Sequence, residues 1–228
     1  MRERASTLST TPADGAAASD RSASTGRRRL RWRVVDIVVA SVLAVAAGLV
    51  FSLWDLGYGP ISTGLGIVLP GSQSLIGGVW LIAGVLVGAV VRKPGAALYG
   101  ELLAASIEAL VGSVWGPLTL VSGLVQGLGA EIVFALFLYR VYRLPVVMLA
   151  GAIAGLALGI NDSIFWYAGY APAFMAVYIV CGIVSGAIIA GLGSWLVLRA
   201  LARTGVLSSF AAGREAAAAR RGRARPSA

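Results

Sequence analysis

Long apolar runs, broken by short stretches that are charged or rich in glycine and proline, dominate this chain. The runs cover residues 34–53, 74–91, 96–114, 118–139, 145–161 and 173–198. A helix rises 1.5 Å per residue, so about 20 apolar residues cross the ~30 Å hydrocarbon core of a bilayer. The pattern therefore predicts six transmembrane helices and an all-α membrane protein. Trp32 and Trp54 bracket the first run as interfacial indoles do, and Pro172 sits at the entry of the last, where proline is tolerated.

Between the runs the connections are unequal. Residues 92–95 and 140–144 predict tight turns on one side, and 115–117 a tight turn on the other. Residues 54–73 predict a long connection, rich in glycine and proline yet apolar. It has two readings: a lid folded back over the bundle, or a segment dipping into the bilayer beside it. Small residues recur at a spacing of four: Ala40, Ala44 and Gly48; Gly84 and Gly88; Gly123 and Gly127; Gly151, Gly155 and Gly159; Gly182, Gly186 and Ala190. That spacing puts each set on one helical face and lets backbones approach closely. Internal packing accounts for the later sets. The first set lies beside a basic cluster, where docking of a partner subunit is the competing reading.

Charge orients this object. Outside the tails the basic residues are Arg92, Lys93, Arg140 and Arg143, and the other connections carry no Lys or Arg. The positive-inside rule then puts both termini and these turns on the cytoplasmic side. Three segments follow: a disordered tail over 1–31, a transmembrane domain over 32–199 and a basic tail over 200–228. Residues 214–228 read as a solvated tail, with a short interfacial helix as the alternative.

Composition agrees. Apolar residues make up 58% and charged residues 13%, about half the charge of a soluble domain. The formal charge of +9 lies mostly in the tails, where topology and anionic headgroups explain it better than nucleic acid does. The chain has no histidine and one cysteine, Cys181, so an internal disulfide is excluded and a metal cluster or histidine-based hydrolase site disfavoured. No phosphate-cradling Gly-Lys-Ser/Thr loop, Gly-x-Ser-x-Gly elbow or His-Glu-x-x-His occurs. No cofactor and no enzymatic activity are expected.

Glu101, Glu108 and Glu131 fall inside the apolar runs with no basic residue to neutralise them. A carboxylate at such depth costs several kcal/mol and is by default functional. Glu101 and Glu131 read as hydrogen-bonded structural groups. Glu108, in the outer half, reads as a ligand-binding group. Trp54, Tyr58, Trp80, Trp115, Trp166, Tyr167 and Tyr170 gather toward the same outer end. They form either an aromatic belt or, with Glu108, Gln126, Asn161 and Asp162, a pocket for a flat or cationic ring. Asn161-Asp162 serves equally well as a polar turn.

The ordered motifs Arg92-Lys93-Pro94-Gly95-Ala96-Ala97-Leu98, Glu101, Ala104-Ala105, Glu108, Trp115-Gly116, Gln126-Gly127-Leu128-Gly129-Ala130-Glu131 and Phe134-Ala135 resemble the YkoE-type substrate-binding (S) components of energy-coupling factor (ECF) vitamin transporters. The resemblance covers residues 32–199. It implies a six-helix S-component bundle that captures thiamine or its hydroxymethylpyrimidine precursor at the outer face of a bacterial inner membrane. It implies partners on separate chains: a transmembrane coupling protein and two cytoplasmic ATPases. It also favours docking through Ala40 and Ala44. Substrate contacts at Glu108, Trp54, Trp80, Trp115, Gln126, Asn161, Trp166 and Tyr167 are inferred from position. An S component for another vitamin, a membrane scaffold, and a stand-alone carrier using Glu101 and Glu131 as proton sites are the alternatives.

Overall fold

The structure is a computed structural model that describes residues 30–223. The tail expected to be disordered lies, up to residue 29, outside the described residues. A compact unit begins at Arg33, and every regular element described in it is helical.

Helix α1 spans Val34–Val68. Its start is fixed by Asp36, which accepts the Arg33 backbone N–H at 2.9 Å and pairs with the Arg33 guanidinium at 2.7 Å. Asp36 is fully buried, so this cap is the main anchor of the first turn. The helix does not stop near Trp54: the connection expected over 54–73 is helical as far as Val68, through Pro60. Four glycines and a proline argue against a helix there in water. In a membrane every backbone group must bond internally, and only a helix allows this within one segment. Proline removes one N–H from the ladder. Beside it, Ser62 and Thr63 donate to the Gly59 carbonyl, each at 2.9 Å.

A 3-10 segment, Ser72–Leu81, continues into helix α2, Ile82–Val91. Ten residues are a long 3-10 run. The segment is held from outside, because the Ser185 hydroxyl donates to Leu75 O at 2.6 Å and accepts Gly78 N–H at 2.8 Å. Helix α3, Ala96–Val111, follows a turn through Arg92 and Gly95, both in the left-handed region. Helices α4, Leu118–Leu136, and α5, Leu144–Phe165, follow. The last run is continuous: α6, Pro172–Ser185, a π segment, Gly186–Leu192, and α7, Gly193–Thr204. The segment after it, expected as a solvated tail, contains helix α8, Ala211–Arg223.

Five of these runs are long and apolar enough to cross a bilayer: Val34–Val68, Ser72–Val91, Leu118–Leu136, Leu144–Phe165 and Pro172–Thr204. The remaining expected span, α3, has 16 residues and carries Glu101 and Glu108. It is also the central element. Helices α1, α2 and α4 all pack on it, and its face bearing Ala97, Gly100, Ala104 and Ala105 is buried. Small residues permit the close crossings. A side chain at Gly155 would collide with the Gly182 carbonyl, and one at Gly151 with that of Gly186. The Gly151/Gly155 and Gly182/Gly186 faces are thus one backbone-to-backbone contact between α5 and the last run.

Gly155→Leu should separate these backbones and destabilise the bundle by about 1–3 kcal/mol or more. Thermal unfolding in detergent reads this as a lowered midpoint. An unchanged midpoint would show that the crossing contributes little.

Candidate functional site

The bundle has two chemically distinct ends. Arg33 and Arg92 mark one, and a cluster of indoles and phenols marks the other. A cavity opens among the aromatic residues and reaches down to Glu101. Each element contributes one face to it. Helix α1 supplies Phe51 and Tyr58, the 3-10 segment Gly77 and Trp80, and α3 Glu101, Ala105 and Glu108. Helix α4 supplies Thr119, Ser122, Gly123 and Gln126, a set spaced so that all face one way. Leu158, Asp162, Trp166, Tyr167 and Tyr178 close the remaining side. The lining holds three carboxylates, those of Glu101, Glu108 and Asp162, and no basic side chain. Such a cavity attracts cations.

Glu108 has a partner that the sequence did not reveal. The Ser113 hydroxyl lies 3.1 Å from an oxygen of Glu108 and 3.1 Å from an oxygen of Asp55. A hydroxyl has one proton and serves only one of these acceptors at a time. Its own oxygen accepts from Thr119 at 3.1 Å and from the Trp115 backbone at 3.3 Å, which fixes its direction. Trp80 Nε1 donates to the other Asp55 oxygen at 3.2 Å. Asp55 and Glu108 are 8% and 2% exposed, so two acids share one donor where water scarcely reaches. A cationic group arriving from the cavity would relieve both at once.

The rings above this pair form a connected cluster. Tyr58 packs edge-on against Trp80 and Trp115, with centroids 4.7 and 5.6 Å apart. Trp115 packs in turn on Trp166 at 5.2 Å. On the far wall Asp162 accepts from Tyr178 at 2.8 Å and from Asn161 at 3.1 Å, and Asn161 also donates to Ser122 at 3.0 Å. Asn161 and Asp162 are therefore part of helix α5, in its last turns, rather than a turn at its mouth.

Comparison with known proteins gives this geometry a family. Residues 35–157 match the family model described as the ABC-type cobalt transport system, permease component. A Bacillus subtilis (strain 168) protein named as an HMP/thiamine permease, YkoE, is 40% identical over 185 residues, covering 81% of this chain and 92% of its own. A solved structure described as an S-component of an ECF transporter is 38% identical, with a TM-score of 0.76, and covers 84% of this chain and 96% of that one. The chain belongs to the YkoE-type S components of ECF transporters. It is a multi-pass membrane transport protein, not an enzyme.

Of the expected site residues of this S component, Glu108, Trp80, Trp115, Gln126, Trp166 and Tyr167 line the cavity together. Asn161 is buried behind the wall and reaches it through Asp162. Trp54 does not line it, and its indole N–H is buried without a hydrogen-bond partner. Asp55, Tyr58 and Phe51 complete the site from α1. Their spacing is helical, i, i+4 and i+7, and was hidden because the stretch from residue 54 on read as a loop. Glu101 is both structural and lining, accepting Gly84 N–H at 2.5 Å.

Glu131 belongs to the opposite end. It accepts the backbone N–H groups of Gly95 at 2.6 Å, Ala97 at 2.9 Å and Leu98 at 3.4 Å, and the Tyr139 hydroxyl at 2.8 Å. It caps α3 from another helix and supplies the acceptor that the N–H groups of Gly95, Ala97 and Leu98 need at its start. Burial and this carboxylate push the Tyr139 phenol above its ordinary range. The stripe of Ala40, Ala44 and Gly48, expected as a docking face, points into the chain. Both alanines are fully buried, and a side chain at Gly48 would meet Ala104 O and Ile107 of α3. As folded, it presents no surface to a second chain.

Glu131→Gln should weaken the cap and lower stability by about 1–2 kcal/mol. Thermal unfolding of the purified variant measures it. A midpoint equal to that of the parent would sink the capping role.

Proposed function

We propose that this S component captures thiamine or its hydroxymethylpyrimidine precursor from the outer side of a bacterial inner membrane. It then delivers the ligand through a transmembrane coupling protein driven by two cytoplasmic ATPases. The observation that carries this reading is the meeting, in one cavity, of the Tyr58/Trp80/Trp115/Trp166 cluster and Glu108, backed through Ser113 by Asp55, with no basic side chain in the lining. Rings stack on a flat heterocycle, an aminopyrimidine donates to carboxylates, and a thiazolium needs negative charge beside it. The name of the Bacillus relative supports the same ligand class.

The orientation rests on charge. Arg92, Lys93, Arg140 and Arg143 lie in the connections of one end, which the positive-inside rule assigns to the cytoplasm along with both termini. That orientation, with α3 as the sixth span, turns the aromatic end outward. A cobalt ligand, suggested by the family description, has less support. The chain has no histidine, and among the described residues no three His, Cys, Asp or Glu side chains gather as metal ligands. The proton-carrier reading also loses ground, because Glu131 is engaged by four donors at the start of α3.

Thiamine should quench the tryptophan fluorescence of the purified protein. Glu108→Gln should weaken thiamine binding about tenfold or more and hydroxymethylpyrimidine binding less, since only the former carries a fixed charge. Equal affinity of parent and variant for both ligands would remove Glu108 from the site. Absence of quenching by either would remove this ligand class.

A further inference from the structure

Arg92 is held in a way its place in the chain does not require. It ends α2 in the left-handed conformation, φ 58° and ψ 42°, where glycine or asparagine would be less strained. Its side chain is only 10% exposed. The guanidinium lies 4.6 Å from the centre of the Tyr142 ring, and Nε donates to Ala89 O at 3.1 Å. These contacts fix the plane of the guanidinium and leave its two terminal nitrogens pointing outward together. That is a notch shaped for one carboxylate.

The chain fills this notch with its own C-terminal segment. Glu215 accepts from Nη1 at 2.7 Å and from Nη2 at 3.0 Å. The segment leaves α7 through Gly205 at φ 86° and buries Leu207 and Phe210, which are 1% and 3% exposed. Arg33, at the base of α1, lies 5.8 Å from the centre of the Phe210 ring. Residues 205–215 thus span the arginine-bearing end from α1 to α2. The apolar anchors are buried, but Glu215 enters from solvent and is 65% exposed. A pair with one exposed partner is weak and screened by salt, so it is the part of the contact able to exchange.

We propose that residues 205–215 form a latch whose Glu215 occupies a carboxylate-binding notch at Arg92, and that an acidic side chain of the coupling protein takes the same notch when the S component assembles. The latch and the partner then compete for one site. This rests on the reading that the arginine-bearing end faces the coupling complex. The sites of ligand capture and latch release lie at opposite ends, so ligand affinity is unaffected by the latch.

The test uses the full-length protein in nanodiscs and its purified coupling protein–ATPase complex. Glu215→Gln should speed amide exchange across 205–215 about fivefold and tighten binding of the complex by a similar factor, the worth of one such ion pair. Arg92→Gln should speed exchange equally but weaken binding of the complex. The exchanged pair Arg92→Glu with Glu215→Arg should restore slow exchange without restoring binding, which separates loss of the notch from misfolding. Thiamine affinity should stay at the parent value in all three. Exchange that is unchanged in Glu215→Gln overturns the latch. Affinities for the complex that move the same way in Glu215→Gln and Arg92→Gln overturn the shared notch, while leaving the partner reading intact. Failure of the complex to bind even the parent overturns the partner reading itself.

Discussion

A carboxylate that cannot reach water must find donors or a counter-charge, and three glutamates within apolar helices make that requirement govern this bundle. The chain meets it unequally. Glu131 receives four donors, three of them backbone N–H groups around the start of α3. Glu101 receives the Gly84 N–H. Glu108 receives a hydroxyl that it shares with Asp55. Among the three glutamates satisfaction thus declines from the arginine-bearing end toward the aromatic end, and the least satisfied of them, Glu108, lines the cavity. Internal hydrogen bonds build the scaffold at one end. At the other their scarcity leaves the acids available to a ligand.

Close packing is what brings these donors within reach. The Gly84 N–H can meet Glu101 only because α2 and α3 touch along glycine and alanine: a side chain at Gly84 would lie 2.9 Å from the Glu101 carboxylate itself. Gly127 admits the Glu101 side chain in the same way, from α4. Small residues therefore do more than let helices associate. They decide which backbone groups stand next to which acids. This also explains why the Ala40/Ala44/Gly48 face is internal. It joins α1 to α3, and that contact carries Phe51 and Tyr58 into the cavity.

Much of this was legible in the chain. Except at the end of α1, the apolar runs marked the helical segments to within about six residues, and the absence of basic residues beside three glutamates marked the acids that needed explanation. Six of the eight expected site residues converge on one cavity, because aromatic and acidic residues near one end of a helical bundle have few other places to go. What stayed hidden had physical causes. Glycine and proline over 54–68 signal a loop in water, but a helix is the only satisfied backbone in an apolar medium, so α1 ran on and Asp55 went unnoticed. Ser113 lies in a turn, where no periodicity announces a side chain's direction. Spacing showed that Ala40 and Ala44 share a face, but a spacing of four is the same for a face that meets a neighbouring helix and for one that meets another protein.

The two ends of α3 connect these observations. Its first residues are capped by Glu131 and begin four residues beyond the strained Arg92, and its last turn carries Glu108 beside Gly112, at φ 111°. A helix of 16 residues, packed on three others, behaves as one rigid body. An event that changes the Asp55–Ser113–Glu108 contact therefore acts on the same body whose other end is fixed at the Arg92 turn. Any coupling between ligand capture and events at the arginine-bearing end needs an element with two arrangements that both ends bias. The long 3-10 segment bridges the two ends. It carries Trp80 to the cavity, continues into the helix that ends at Arg92, and is tied to the last run through the single hydroxyl of Ser185.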